Sequence, residues 1–162
     1  ETCKDYISQF NDISFLHIRR GDNVGREDYY PMPTAEWMGK MVEKHFPNKP
    51  ILICTDDLSW VKSQDIFKDD KFNISETRIY YDTPVMIGGG SYAKSLVPYY
   101  DLCLMSLCNG GIIANSSLSW WGAWLQTAPN KKIVAQDPWY GSKLASNNTK
   151  DLYPESWIVE KI

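Results

Sequence analysis

Two arginines stand side by side, Arg19-Arg20, at the end of an apolar run from Ile13 to Ile18, and Gly21-Asp22 follow at once. A short run of that kind makes a buried strand, so both guanidiniums sit where a strand leaves the core. An unpaired charge at such a place is heavily penalised. Arginine's rigid fork grips phosphate oxygens two at a time, and open α/β sheets hold their ligands at the carboxyl ends of strands. One chemistry is therefore a site for a phosphorylated ligand. The other is structural, with Arg19 or Arg20 paired to Asp22 or Glu27.

Two more polar clusters have the same setting. Asp56-Asp57 close the run Ile51 to Thr55, and Asn115-Ser116-Ser117 follow Ile112-Ile113-Ala114. The serines also open a helix, where free amides and the macrodipole favour phosphate. Arginines and a serine-rich helix start would hold a pyrophosphate, while carboxylates would read sugar hydroxyls or base nitrogens. Asp56-Asp57 could take Mg²⁺, but arginines beside the phosphates make a metal unnecessary, and the sequence has no histidine or cysteine ligand cluster. The set points to a nucleotide sugar more than to a nucleoside triphosphate.

The elements between the clusters must bring them together. Thr34 caps a helix running to about Phe46, Ile51 to Thr55 is a second strand, and Asp56 or Asp57 caps a helix to about Phe67. Thr77 to Tyr81 reads as a weaker third strand. Asp82 to Tyr92 reads as a loop, its glycines lacking the lysine and spacing of a P-loop. A helix from Lys94 or Ser95 to about Cys108 carries Pro98 in its first turn and stops at Gly110-Gly111. After the strand Ile112 to Ala114 come a helix from Leu118 to about Ala128, a strand at Lys132 to Ala135, and an edge strand or tail at Trp157 to Val159. This alternation predicts an α/β fold, a Rossmann-like and mostly parallel sheet with helices on both faces, and all three clusters then share one rim. In the last helix Leu118, Trp121 and Leu125 share one face and Trp120 and Trp124 another, which places Trp121 and Trp124 in the core.

A chain of 162 residues is expected to form one domain, 1–162. Its net charge of -3 argues against nucleic acid, whose binders carry a basic field. No run approaches the ~18 apolar residues of a membrane span and no signal peptide is visible, so a cytoplasmic location is expected. Cys3, Cys54, Cys103 and Cys108 lack zinc spacing and are expected to be buried thiols in a reducing compartment. Because Glu1 stands first, the chain is expected to be processed or a fragment.

The two main motifs resemble a known family. His17-Ile18-Arg19-Arg20-Gly21-Asp22, with Ala114-Asn115-Ser116-Ser117-Leu118-Ser119-Trp120-Trp121-Gly122-Ala123-Trp124-Leu125, closely resembles the α-1,2-fucosyltransferases, glycosyltransferase family eleven. Asp56-Asp57-Leu58-Ser59-Trp60, Asp101-Leu102-Cys103-Leu104-Met105-Ser106 and Pro154-Glu155-Ser156-Trp157-Ile158 are similar to it too. The resemblance implies a GT-B-like transferase of two Rossmann-like lobes that moves fucose from GDP-fucose to a glycan acceptor hydroxyl, inverting the anomeric centre, without a cofactor and generally without metal. This chain corresponds to the donor-binding C-terminal lobe. The family's opening Gly-Gly-Leu-Gly-Asn-Gln motif and roughly a further half-chain are not in it, so an N-terminal lobe is expected to be missing. Peripheral membrane association in the full-length protein is expected to run through missing parts.

By the same resemblance, Arg19 grips the β-phosphate and helps GDP depart, and Arg20 braces the site. His17 and Asp101 face guanine, Asp56 or Asp57 the guanosine side, and Ser116 and Ser117 the pyrophosphate; Asp22 and Asn115 complete the donor site. The loop Asp22 to Glu27 is similar to that of α-1,6-fucosyltransferases, whose matching glutamate is the acceptor base. Glu27 is thus the candidate base, with Asp28 second. Family members usually carry histidine near Gly110 and an aromatic residue at Asn23, two departures that bear on donor or acceptor fit. The alternatives are a nucleotide-binding module without transfer activity and a related transferase for another nucleotide sugar.

Overall fold

All five residues of Ser14–Ile18 (β1) and of Ile51–Thr55 (β2) are buried, as expected of strands covered on both faces. The computed structural model describes residues 2–75, 85–87, 91–93 and 97–162. β1 and β2 pair in parallel, Ser14 against Ile51 through Ile18 against Thr55. Phe72–Ile74 (β3) adds outside β2. A hairpin of Val85–Ile87 (β4) and Ser91–Ala93 (β5) forms a separate antiparallel pair. Gly111–Ile113 (β6) lies on the other side of β1, followed outward by Ile133–Asp137 (β7) and Ile158–Lys161 (β8). The main sheet has the order β3-β2-β1-β6-β7-β8 and is parallel throughout.

The helices are Thr2–Ile7 (α1), Ala35–His45 (α2), Leu58–Ser63 (α3), Val97–Leu107 (α4) and Ser117–Trp124 (α5). Strand residues alternate between two cores. Leu16, Ile18, Ile51, Ile53 and Val134 pack with Met38, Met41 and Val42 of α2. Phe15, Leu52, Cys54, Ile113 and Ala135 pack with Leu104 and Met105 of α4 and Ala123 of α5. Helices therefore cover both faces, and the predicted α/β class is the one observed. Gly110 needs its glycine: φ is +115°, and a Cβ there would sit 2.6 Å from the Lys132 carbonyl.

Several local expectations need correcting. The strand expected at Thr77 to Tyr81 lies outside the described residues; the strand beside β2 is Phe72–Ile74. Part of the expected loop, Asp82 to Tyr92, belongs to the β4–β5 hairpin. Cys103 is exposed, while Cys3, Cys54 and Cys108 are buried; burial pushes the Cys108 thiol up to about 12. The helix expected to reach Ala128 ends at Trp124, where the Lys131 ammonium donates to the carbonyls of Ala123, Trp124 and Gln126 at 2.9, 3.0 and 2.9 Å. A cation there satisfies the last carbonyls and suits the negative end of the dipole.

Trp121 and Trp124 are not core residues, each being 51% exposed. Small residues take the inward face instead: Ser119, Gly122 and Ala123 are buried, and a Cβ on Gly122 would meet Met105 at 2.8 Å. Close packing of α5 on α4 thus pushes the indoles outward. Trp120 is the anchor. Its Nε1 donates to the Leu152 carbonyl at 2.8 Å, and its ring stacks on Trp124 and lies against Trp157. Trp120→Phe is expected to lower Tm by several degrees, about what losing ~1–2 kcal/mol does in a domain of this size. Trp121→Phe is expected to leave Tm within about a degree, as exposed substitutions do; thermal melts of the two variants would reverse the assignment if their order were inverted.

The edge strand is pinned to α2. Glu160 accepts from Lys44 Nζ at 2.6 Å and from His45 Nε2 at 2.7 Å, while Trp37 Nε1 donates to the Lys161 carbonyl at 2.7 Å. The Lys44 and His45 hydrogen bonds hold the Glu160 carboxyl below its ordinary value. A depressed carboxylate stabilises the fold above its unfolded pKa, and that contribution disappears as pH falls through the folded value. Glu160→Gln is therefore expected to cost about 2–4 °C of Tm at pH 7 and progressively less at acid pH, as the folded carboxyl takes up its proton. Equal losses at neutral and acid pH would rule out the charge pair as the cause.

Candidate functional site

The strand order reverses between β1 and β6. Sequence proceeds from β1 outward to β2 and β3 on one side, and from β6 outward to β7 and β8 on the other. The crevice outside the carboxyl ends of two such strands is where doubly wound sheets bind ligands. Here those ends deliver Arg19-Arg20 from β1 and Asn115-Ser116-Ser117 from β6. Asp56-Asp57 come from β2, the strand next to β1. The three clusters read from the sequence do share one rim.

Both arginines are engaged, in different ways. Arg19, about one-third exposed, pairs through Nη1 with Asp56 and through Nη2 with Asp22. Its guanidinium thus lies at the mouth of the crevice between two carboxylates. Arg20 is more enclosed: its Nε donates to Asp57 Oδ2 at 3.2 Å and its guanidinium lies 4.1 Å from the centre of the Trp60 ring. Asp57 is itself held, since its Oδ1 accepts from Trp60 N at 3.0 Å as N-cap of α3. Asp56 spans both arginines, its Oδ1 accepting the Arg20 backbone N–H at 2.8 Å. Both terminal nitrogens of Arg19 are thus taken by carboxylates, and Arg20 is held by Asp57, Asp56 and Trp60. Of the two structural pairings read from the sequence, Asp22 does pair with Arg19, whereas the Glu27 carboxylate accepts from Gly25 N at 3.0 Å.

His17 is buried in β1. Strand alternation puts it on the Phe15 face, the one covered by α4, and α4 carries the buried Asp101. Across the crevice, Ser116 is the N-cap of α5 and its side chain makes no capping hydrogen bond. The first amides of α5 have no intrahelical acceptor in any case, which suits an anion there. Asn115 is differently occupied: its Nδ2 donates to the carbonyls of Pro31 and Trp139 at 3.0 and 3.2 Å. Glu27 and Asp28 are exposed on the loop after Arg20. Hydrogen bonding from Gly25 N holds the Glu27 carboxyl below its ordinary value, so it is ionised at neutral pH.

Beside this rim is a narrow cleft lined by Arg19, Arg20, Met32, Pro33, Trp37 and Gln136, among others. Across residues 4–161 the chain matches the family described as Glycosyl transferase family 11. The chain belongs to glycosyltransferase family 11. It is 29% identical over 161 residues to the O-antigen biosynthesis glycosyltransferase WbnK of Escherichia coli, a match covering 96% of this chain and 47% of that protein. It is 32% identical over 164 residues to an alpha-1,2-colitosyltransferase of Escherichia coli, covering 97% of this chain and 50% of that protein. The family 11 chain thus spans about half the length of the curated relatives it matches. No solved structure matches it.

Among the described residues of this family 11 chain, no group of three or more His, Cys, Asp or Glu side chains is gathered to hold a metal ion. No helix among them is long and apolar enough to cross a membrane. Two residues at the site escape sequence reasoning. Trp60 lies under the Arg20 guanidinium, and a hint was available: it stands one helical turn after Asp57, whose carboxylate holds the same arginine. Gln136 lines the cleft, and a lone glutamine in an apolar strand gives no spacing to read.

Proposed function

We propose that this chain binds GDP-fucose at the switch-point crevice and that the protein transfers fucose to a glycan hydroxyl, in α-1,2 linkage, with inversion and without metal. The observation that carries this reading is the convergence there of an arginine fork held between two carboxylates, Arg19, and a helix start whose cap side chain leaves its amides open, Ser116-Ser117. Arg19 and the α5 N-terminus stabilise the charge that develops on the leaving GDP. His17 and Asp101 read guanine, Asp56 or Asp57 the guanosine side, and Asp22 and Asn115 complete the donor site. Glu27 takes the proton of the attacking hydroxyl, so that the new glycosidic bond forms as the bond to the β-phosphate breaks, from opposite faces of the sugar. Family membership and the two named relatives support the glycosyl-transfer part. Calorimetry with GDP, GDP-fucose, GDP-mannose and UDP-sugars, each with and without Mg²⁺, tests the reading. Tightest binding of GDP-fucose, indifferent to Mg²⁺, is the expected result; preference for a UDP-sugar would end it.

The relative named as a colitosyltransferase favours a second reading, in which the donor carries another sugar. Binding GDP as tightly as expected while rejecting GDP-fucose would select it.

A further inference from the structure

The loop from Arg26 to Pro33 is fastened to the far side of the crevice by more than its own turns require. Internally, Tyr29 N and Tyr30 N both donate to the Arg26 carbonyl at 2.9 Å. From outside, two side-chain amides converge on one backbone oxygen. Asn115 Nδ2, at the end of β6, and Gln136 Nε2, in β7, reach the Pro31 carbonyl at 3.0 and 2.9 Å. Beyond β7, Gly141 N donates to the Tyr29 carbonyl at 2.8 Å and Lys143 N to the Asp28 carbonyl at 2.9 Å. The Lys143 ammonium also pairs with the Asp28 carboxylate at 2.7 Å. Gly141 packs so closely that a Cβ would collide with the Asp28 carbonyl.

Gln136 is an expensive way to hold a surface loop. It is fully buried, and its Oε1 has no hydrogen-bond partner among the described residues. A buried amide oxygen without a partner is destabilising, and an apolar side chain is the neutral choice for a central strand. What the glutamine supplies is its grip on Pro31. That grip sets where the loop lies over the rim, and the loop carries Glu27 and Asp28.

We propose that Gln136 and Asn115 are positioning residues, which by jointly holding the Pro31 carbonyl fix the loop bearing the acceptor base relative to Arg19. This rests on the reading of Glu27 as that base. Gln136 need not touch either substrate; it acts through the backbone.

Gln136→Met removes the donor while keeping an unbranched side chain of similar length. With the protein as its source cell makes it, turnover is expected to fall about 10- to 100-fold, as for a small misplacement of a catalytic group. GDP affinity should stay within about twofold, splitting kcat from ground-state binding, and amide exchange at Tyr29 and Tyr30 should quicken. In a Glu27→Gln background the same change should cost nothing further, because the group it positions is gone. Faster exchange with unchanged turnover overturns the proposal, as does an equal loss in both backgrounds when Glu27→Gln by itself lowers transfer. If Glu27→Gln transfers normally while Gln136→Met does not, the base assignment fails and the positioning role stands, acting through another loop group. Should Gln136→Met not fold, Gly141→Ala displaces the loop from its other anchor. The same loss of turnover is expected there, and full turnover with a displaced loop overturns the proposal.

Discussion

In the full two-lobed enzyme of the proposed function, Glu27→Gln is expected to leave GDP affinity within about twofold of the parent and to lower transfer ~10²–10⁴-fold, the range a general base supplies. Binding and chemistry separate at this residue because of where it stands. The loop places it after the arginines, and its carboxylate bonds to Gly25 N rather than to Arg19 or Arg20. Glutamine keeps the shape and can still accept from Gly25, so the loop retains its turn. What disappears is a carboxylate that is ionised well below neutrality, since the Gly25 hydrogen bond lowers its pKa. With that sign, the base stays ionised as pH falls from 7, and the midpoint of the acid limb of the parent's transfer profile is expected below the ordinary glutamate value. GDP affinity, transfer rate and Tm measured on one variant decide the matter. Transfer that survives the glutamine moves the base to Asp28 or elsewhere.

Arg19→Lys weakens GDP binding nearly as much as Arg19→Ala, by roughly 1.5–3 kcal/mol, or about 10- to 150-fold. Lysine keeps the charge but is a single point, whereas Arg19 already serves two carboxylates with two separate nitrogens. In the proposed function a diphosphate would present its oxygens to the same fork, which Asp56 and Asp22 hold at the crevice. The Arg20 brace is untouched by either substitution, so the rim should keep its shape. Titration of both variants with GDP is the measurement. A lysine variant that binds like the parent leaves Arg19 with only its ion pairs.

The sequence was most legible where buried strands announce themselves as apolar runs. β1, β2, β6 and β7 each interrupt polar sequence with three or more apolar residues, and the polar groups at their ends locate the rim. β3 escaped because it is three residues long with Asn73 at its centre, too short for a period to register. α1 escaped for a similar reason, six residues with one buried cysteine. The tryptophans of α5 mislead because hydrophobicity alone favours them for its inner face, whereas Gly122 and Ala123 win that face by allowing close approach. At the site, residue types and order were readable, but the division of labour was not. That Asn115 serves the backbone of another loop depends on Pro31 arriving from 84 residues away.

The position of β1 has a kinetic consequence. Its pairing with β2 is within easy reach along the chain, but its other edge waits for β6, and the Ser14 hydroxyl reaches the Asn109 carbonyl across 95 residues. Closing so long a loop is slow compared with forming local contacts. The crevice is bounded by both edges, so a chain in which only β1, β2 and β3 had paired would carry both arginines yet have no opposite wall. A ligand bound in the proposed crevice would recognise the finished topology alone and add its stabilisation there by mass action, with nothing to offer the half-assembled sheet.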